Sequence, residues 1–306
     1  MVHAVPDNHP PLTNNVHDVA LVLEGGGMRA SLTSGVIVAL LQAGIHIDWV
    51  AGISAGASNA ANYLARDPHR ARRSFVEFAA DPNFGGLRSW LRGTGMFHAE
   101  YIYENTSQPG QALPFDWATF RANPARYRIG AFRADDGAQV FFTEADVHEM
   151  RDLMLAVRAS STMPVLMPPV QIGGHTYVDG ALGDTGGIPF DAARAEGFTK
   201  FLVVLSQERG YARAPVGHQA FYRRHFRAFP AVAHAIATRH HRYNATREEI
   251  FELERSGQAM VFAPERMPVT NGERNVAKLA AAHELGLAQA RREVPAWREF
   301  CGLTSS

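Results

Sequence analysis

Apolar positions along the first third of the chain fall into short continuous runs separated by stretches of helical period. Residues 19–23 form an unbroken β-prone run, the pattern of a strand buried on both faces. Gly25, Gly26 and Gly27 follow at once, and a helical pattern over about residues 32–43 is stopped by Gly44. A second strand is predicted over about residues 47–51. It runs into Gly52-Ile53-Ser54-Ala55-Gly56 and a helix continuing through residues 58–64. Residues 71–80 have a helical pattern. Residues 81–94 mix glycine with Phe84 and Trp90, as in a packed loop or a lid with apolar contacts.

Further on, residues 128–133 and 138–143 read as paired strands around an Asp-Gly turn. A helix is predicted over residues 146–160, and Pro164, Pro168 and Pro169 force an extended connection after it. Residues 170–178 form a second hairpin around Gly173-Gly174, which delivers Asp179-Gly180-Ala181 at its end. A helix over 190–196 and a buried strand over 200–206 follow. Beyond about residue 207 arginine and histidine become dense. An amphipathic helix over 245–256, a strand-like 260–264 and a final helix from 273 or 275 to about 292 complete the pattern. Strands alternating with helices predict an α/β fold with a mostly parallel sheet. The predicted organisation is a flexible lead-in over 1–17, a core α/β domain over 18–207, and a mainly helical C-terminal region over 208–306 packed on that core.

The 306 residues, 46% apolar and 20% charged, are ordinary globular composition. Lysine plus arginine equals aspartate plus glutamate at 30 each, so no basic excess points to a nucleic-acid binder. A single cysteine, Cys301, excludes a disulfide framework within the chain and fits a reducing compartment. The first residues lack the basic start and apolar core of a signal peptide, and no apolar run approaches the roughly 20 residues that span a bilayer. A cytoplasmic location is therefore expected. The basic-aromatic run over 221–229 is read as a packed helix with a wet basic face or as a peripheral membrane contact.

Two features in the opening segment belong to one chemistry. Gly52-Ile53-Ser54-Ala55-Gly56 is G-x-S-x-G, the nucleophile elbow, in which glycines let a strand turn sharply into a helix. The glycine triplet offers backbone N–H groups at a helix start, suited to a phosphate or to the oxyanion of acyl transfer. Adjacent parallel strands place the two loops side by side. The serine needs a base. The late histidines His225, His234, His240, His241 and His283 sit among arginines or in amphipathic helices, without a glycine-rich loop to hold one at the site. His148-Glu149 lacks the second histidine of a zinc motif. Asp179, at a strand end before Gly180, is either a turn aspartate or the base.

The ordered elements GGGMRA, GISAG and DGA, with Arg158-Ala159-Ser160-Ser161-Thr162-Met163-Pro164 before the last, resemble the patatin-like phospholipase family. The likeness extends from Val19 into the C-terminal region, where residues 243–265 resemble the tail of a bacterial branch of the family. It implies a three-layer α/β/α fold, a catalytic domain over 18–207 and a Ser-Asp dyad with no cofactor and no metal. Ser54 would be the nucleophile and Asp179 its base. The N–H groups around Gly26, Gly27 and Met28 would form the oxyanion hole, and Gly25, Gly52, Gly56 and Gly180 would be the motif glycines. Arg29 would hold the loop or an anionic head group, or else make a structural ion pair. Phe84, Trp90, Met96 and Phe97 would line an acyl pocket or simply belong to the core. The family's last loop glycine is Ala30 here, which leaves the loop intact if that position is helical and distorts it if left-handed. The implied activity is hydrolysis of lipid esters, of phospholipase A or lysophospholipase type. The alternatives are a soluble-ester esterase or acyltransferase with the same dyad, and an inert lipid-binding or regulatory protein.

Overall fold

The computed structural model describes residues 12–86, 89 and 95–303. Most of the lead-in and the centre of the 81–94 segment, including Trp90, lie outside the described residues. Among the described residues eight strands form one sheet: β1 (Ala20–Leu23), β2 (Trp49–Ile53), β3 (Arg126–Arg133), β4 (Gln139–Phe142), β5 (Val170–Ile172), β6 (His175–Asp179), β7 (Phe201–Val204) and β8 (Ala259–Phe262). Their order is β5-β6-β3-β2-β1-β7-β8, with β4 also paired to β3. The run from β3 through β2, β1 and β7 to β8 is parallel, and the two predicted hairpins continue the sheet antiparallel beyond β3.

Side-chain alternation on the central strands divides the core between two faces. Leu21 and Leu23 of β1, with Leu202 and Val204 of β7, face α1 (Ala30–Gln42), α2 (Ala55–Leu64), α3 (Pro68–Phe75), α6 (Met150–Ser161) and α10 (Val276–Phe300). Ala20, Val22, Phe201 and Val203 face α7 (Phe190–Ala195) and α9 (Pro230–Arg255). Each fully buried Val, Leu or Phe contributes roughly 1.5–3 kcal/mol, and covering both sheet faces produces three layers, α/β/α. Short helices α4 (Ala99–Glu104), α5 (Trp117–Ala122) and α8 (Gln219–His225) complete the described set.

Several boundaries differ from those expected. Ile47 does not begin β2 but makes an isolated parallel bridge with Val16. The helix expected over 71–80 is α3, capped by Asp67 with Pro68 in its first turn, followed by a 3-10 turn over Glu77–Ala80. Residues 245–256 are the second half of the 26-residue α9, which begins at Pro230, so the Arg/His-rich stretch is itself helical. The strand-like 260–264 segment gives β8, which extends the central sheet beside β7. Beyond residue 207 the described elements are helices, this strand and the loops that join them, and α10 packs closely on α1. A Cβ on Gly35 would lie 2.5 Å from the Leu287 backbone nitrogen, and one on Gly286 would lie 2.1 Å from the Leu32 carbonyl oxygen. Two glycines therefore set this helix separation.

Candidate active site

Ser54 sits between the end of β2 and the start of α2 with φ 57° and ψ −127°. A non-glycine residue in that region stores roughly 1–3 kcal/mol of strain, which the surroundings must hold. The flanking glycines are steric requirements. A Cβ on Gly52 would lie 2.3 Å from the Gly56 carbonyl oxygen, and one on Gly56 would lie 2.3 Å from that of Leu23. The Ser54 N–H donates to Ser160 Oγ at 2.8 Å, and the Ser160 hydroxyl donates to the Gly130 carbonyl at 2.5 Å. Ser160, in the last turn of α6, thus ties the elbow to β3.

Asp179 ends β6, where it stands opposite Ala131 of β3. A Cβ on the next residue, Gly180, would lie 2.2 Å from the Gly130 carbonyl, so the chain passes close to β3 and on toward Ser54. The Ser54 hydroxyl donates to Asp179 Oδ2 at 2.9 Å, across 125 residues of sequence. Asp179 Oδ1 accepts the Ala181 N–H at 2.9 Å. Both residues are 6% exposed. Burial raises the Asp179 pKa above the usual carboxylate range, while the Arg239 guanidinium, the Ala181 N–H and the Ser54 hydroxyl hold that rise in check.

The glycine loop is held from several parts of the chain. The Gly25 N–H donates to Gly187 O at 3.1 Å, and the Ser206 hydroxyl donates to Gly25 O at 2.9 Å. A Cβ on Gly25 would lie 3.0 Å from that of Ser54, so the loop packs directly on the serine. Gly27 has φ 55°, a left-handed position suited to glycine. The Met28 N–H, expected among the oxyanion donors, donates instead to the Asn271 carbonyl at 3.0 Å. Among the described residues the N–H groups of Gly26 and Gly27 have no protein acceptor, and both residues line the cavity that contains Ser54 and Asp179. Ala30 has φ −64°, a right-handed helical value, so its methyl group fits without distorting the loop.

Ser54 lies where two cavities meet. One, of about 80 Å³, is lined mainly by apolar side chains, including Phe75, Phe78, Met154 and Val157. Phe84 and Phe97 line it as well, whereas Met96 does not. The other, of about 480 Å³, also takes in Asp179, Arg29, Arg213 and Arg239. Arg29 makes no side-chain hydrogen bond through its buried Nε.

Sequence reasoning placed Ser160 in a motif segment without its bonding role, and missed Ser206, Asn271, Arg213, Arg239 and the pair Glu24–Tyr243. Buried Glu24 accepts the Tyr243 hydroxyl at 2.7 Å and the Ser206 N–H at 2.6 Å. A carboxylate ending the apolar run of β1 was the one local signal for this pair.

Among the described residues none of His225, His234, His240, His241 and His283 hydrogen-bonds Ser54. His283 instead pairs with Ser34 Oγ at 2.8 Å between α10 and α1, where burial pushes its pKa down to about 4. His240 lines the larger cavity. No group of three or more metal-ligating side chains occurs among the described residues, and no described helix is long and apolar enough to cross a membrane.

These features define a three-layer α/β/α protein with a strained serine on a strand-to-helix elbow, bonded to a buried carboxylate beside a glycine loop. The chain belongs to the patatin-like phospholipase family, whose model matches residues 21–194. A second model, of a domain of unknown function (DUF6363), matches residues 229–302. An uncharacterized Escherichia coli protein, YjjU, is 30% identical over 191 residues, covering 61% of this chain and 51% of its own. Lysophospholipase nte1 of Aspergillus terreus is 31% identical over 183 residues, 56% of this chain and 11% of that one. Human patatin-like phospholipase domain-containing protein 6 is 28% identical over 200 residues, 61% of this chain and 13% of that one. The matched segments thus span about half of the first relative and a small part of the other two. VipD from Legionella pneumophila shares the fold at a TM-score of 0.50 and 14% identity, over 91% of this chain and 67% of its own.

Proposed function

We propose that the protein is a serine acyl hydrolase that cleaves lipid esters of phospholipase A or lysophospholipase type through a Ser54–Asp179 dyad. The observation that carries this reading is the 2.9 Å hydrogen bond from Ser54 Oγ to a buried Asp179 at the junction of an apolar and a polar cavity. Family membership and relatives named as a lysophospholipase and a patatin-like phospholipase support the substrate class.

In this mechanism Asp179 accepts the Ser54 proton as Oγ attacks the ester carbonyl carbon. Negative charge then develops on the carbonyl oxygen, facing the N–H groups of Gly26 and Gly27; losing one such donor typically costs about 2.7–4 kcal/mol of transition-state stabilisation. Collapse of the intermediate returns the proton from Asp179 to the departing alcohol and leaves the acyl group on Ser54. Water, giving a proton to Asp179, then attacks that acyl-serine, and the proton passes to Ser54 Oγ as the bond to the acyl carbon breaks and the fatty acid leaves. A base with a raised pKa suits both transfers better than an ordinary aspartate would.

The test is turnover of p-nitrophenyl octanoate and of a lysophospholipid by the wild type and by Ser54→Ala. Hydrolysis by the wild type that the substitution abolishes is expected. A wild type inactive on esters of every chain length would overturn the enzymatic reading.

A further inference from the structure

The larger cavity beside Ser54 carries more positive charge than the dyad chemistry uses. Arg29 from the glycine loop, Arg213 from the segment after β7 and Arg239 from α9 all line it. Nε of Arg29 and Nε of Arg213 are buried without a hydrogen-bond partner. Arg239 Nε donates to the Gly186 carbonyl at 2.9 Å, and the Arg213 guanidinium lies over the Tyr243 ring, 5.0 Å from its centroid. None of the three forms a salt bridge among the described residues. The nearby carboxylates are already engaged: Glu24 by Tyr243 and Ser206, Asp179 by Ser54 and Ala181.

Collecting half-buried cations around one cavity in this way is unfavourable without a counter-charge. Burial, with repulsion from Arg213 added, brings the Arg239 pKa down to about 10 and that of Arg29 below its usual value. Guanidinium forks match the geometry of phosphate oxygens. The other cavity at Ser54 is apolar and narrow. An ester carbonyl at Ser54 with its acyl chain in that cavity would therefore have its alcohol portion among the arginines.

We infer that Arg213 and Arg239, with Arg29, form a binding subsite for a phosphoryl group carried on the alcohol side of the ester. This rests on the acyl-hydrolase reading for the identity of the substrate, but the anion site is testable without turnover. Arg213 and Arg239 both lie beyond residue 207, so the C-terminal region would supply head-group selection to a catalytic centre built from the first part of the chain.

The experiment is calorimetric titration of the full-length Ser54→Ala protein with octyl phosphate, octanol and inorganic phosphate, repeated in the Ser54→Ala background with Arg213→Gln and, separately, with Arg29→Gln. Octyl phosphate should bind about 10- to 100-fold more tightly than octanol, and each arginine substitution should cut that preference about tenfold or more. Reading two arginines separately keeps the test valid if one variant does not fold. Equal binding of octyl phosphate and octanol would overturn the inference, as would a preference untouched by the folded variants. Inorganic phosphate binding as tightly as octyl phosphate would assign the site to free phosphate and overturn the lipid assignment. Turnover of p-nitrophenyl octanoate by the wild type, measured in parallel, reports on the dyad alone, so failure of the subsite and failure of the hydrolase reading remain distinguishable.

Discussion

Asp179→Asn should lower activity and raise stability at the same time. Asparagine is close in shape to the protonated acid. It keeps an oxygen for the Ala181 N–H but cannot take the Ser54 proton, so turnover should fall by about 10²–10⁴-fold, the usual contribution of a general base. The stability effect follows from burial, which outweighs Arg239 and the local donors and raises the Asp179 pKa. Between the ordinary carboxylate value and that raised value, the native state binds more protons than the unfolded chain, so wild-type stability falls as pH rises through this window. Above it the full cost of the buried charge is present, and each tenfold change in proton affinity corresponds to about 1.4 kcal/mol. The variant carries no charge there, so its stability should be flatter with pH and higher than wild type at neutral pH. Urea denaturation at several pH values, with ester turnover on the same preparations, measures both effects. Wild-type turnover in the variant would mean that another group is the base. A variant less stable than wild type at neutral pH would refute the reasoning that burial dominates at this carboxylate.

Three further outcomes are expected. Arg239→Gln removes the largest influence holding the Asp179 pKa down, so the acidic limb of kcat/KM should move to higher pH; a limb that stays put or moves lower would mean that Arg239 does not act on Asp179. Ser160→Ala leaves the Ser54 N–H and the Gly130 carbonyl without their shared hydroxyl, which should cost about 1–3 kcal/mol in chemical denaturation and reduce kcat more than it changes KM. Gly286→Val places a side chain against the Leu32 carbonyl and should destabilise the α1–α10 contact by about 1–3 kcal/mol or more, seen as a lower denaturation midpoint.

The parts of the site legible in the sequence are those in which backbone geometry dictates residue type over a few positions. The elbow needs glycine at 52 and 56 because the chain folds back on itself within five residues, and the loop needs glycine at 27 because φ is positive there. The parallel core was legible for a similar reason: continuous apolar runs at β1 and β7 report burial on both faces wherever they lie in the chain. The Ser54–Asp179 hydrogen bond was harder to foresee, since Asp179 is 125 residues from Ser54 and, taken alone, looks like any Asp-Gly turn. What remained hidden depends on contacts without a local signature. The Asn271 carbonyl that takes the Met28 N–H belongs to a residue whose side chain is irrelevant to the bond, so no motif could announce it. Tyr243 reaches Glu24 across 219 residues, and Arg239 and Arg242, on the same helix, grip the carbonyls of Gly186 and Gly183. In the sequence that stretch is a dense Arg/His segment, which on an isolated helix would be a solvated face. Here it is turned toward the loop that follows Asp179. The glycine loop is therefore clamped by Gly187, Ser206 and Asn271, and the loop after Asp179 by α9. Geometry at Ser54 and integrity of the C-terminal region are thus physically coupled. Loosening α9 would disturb the loop beside Asp179 without touching a motif residue.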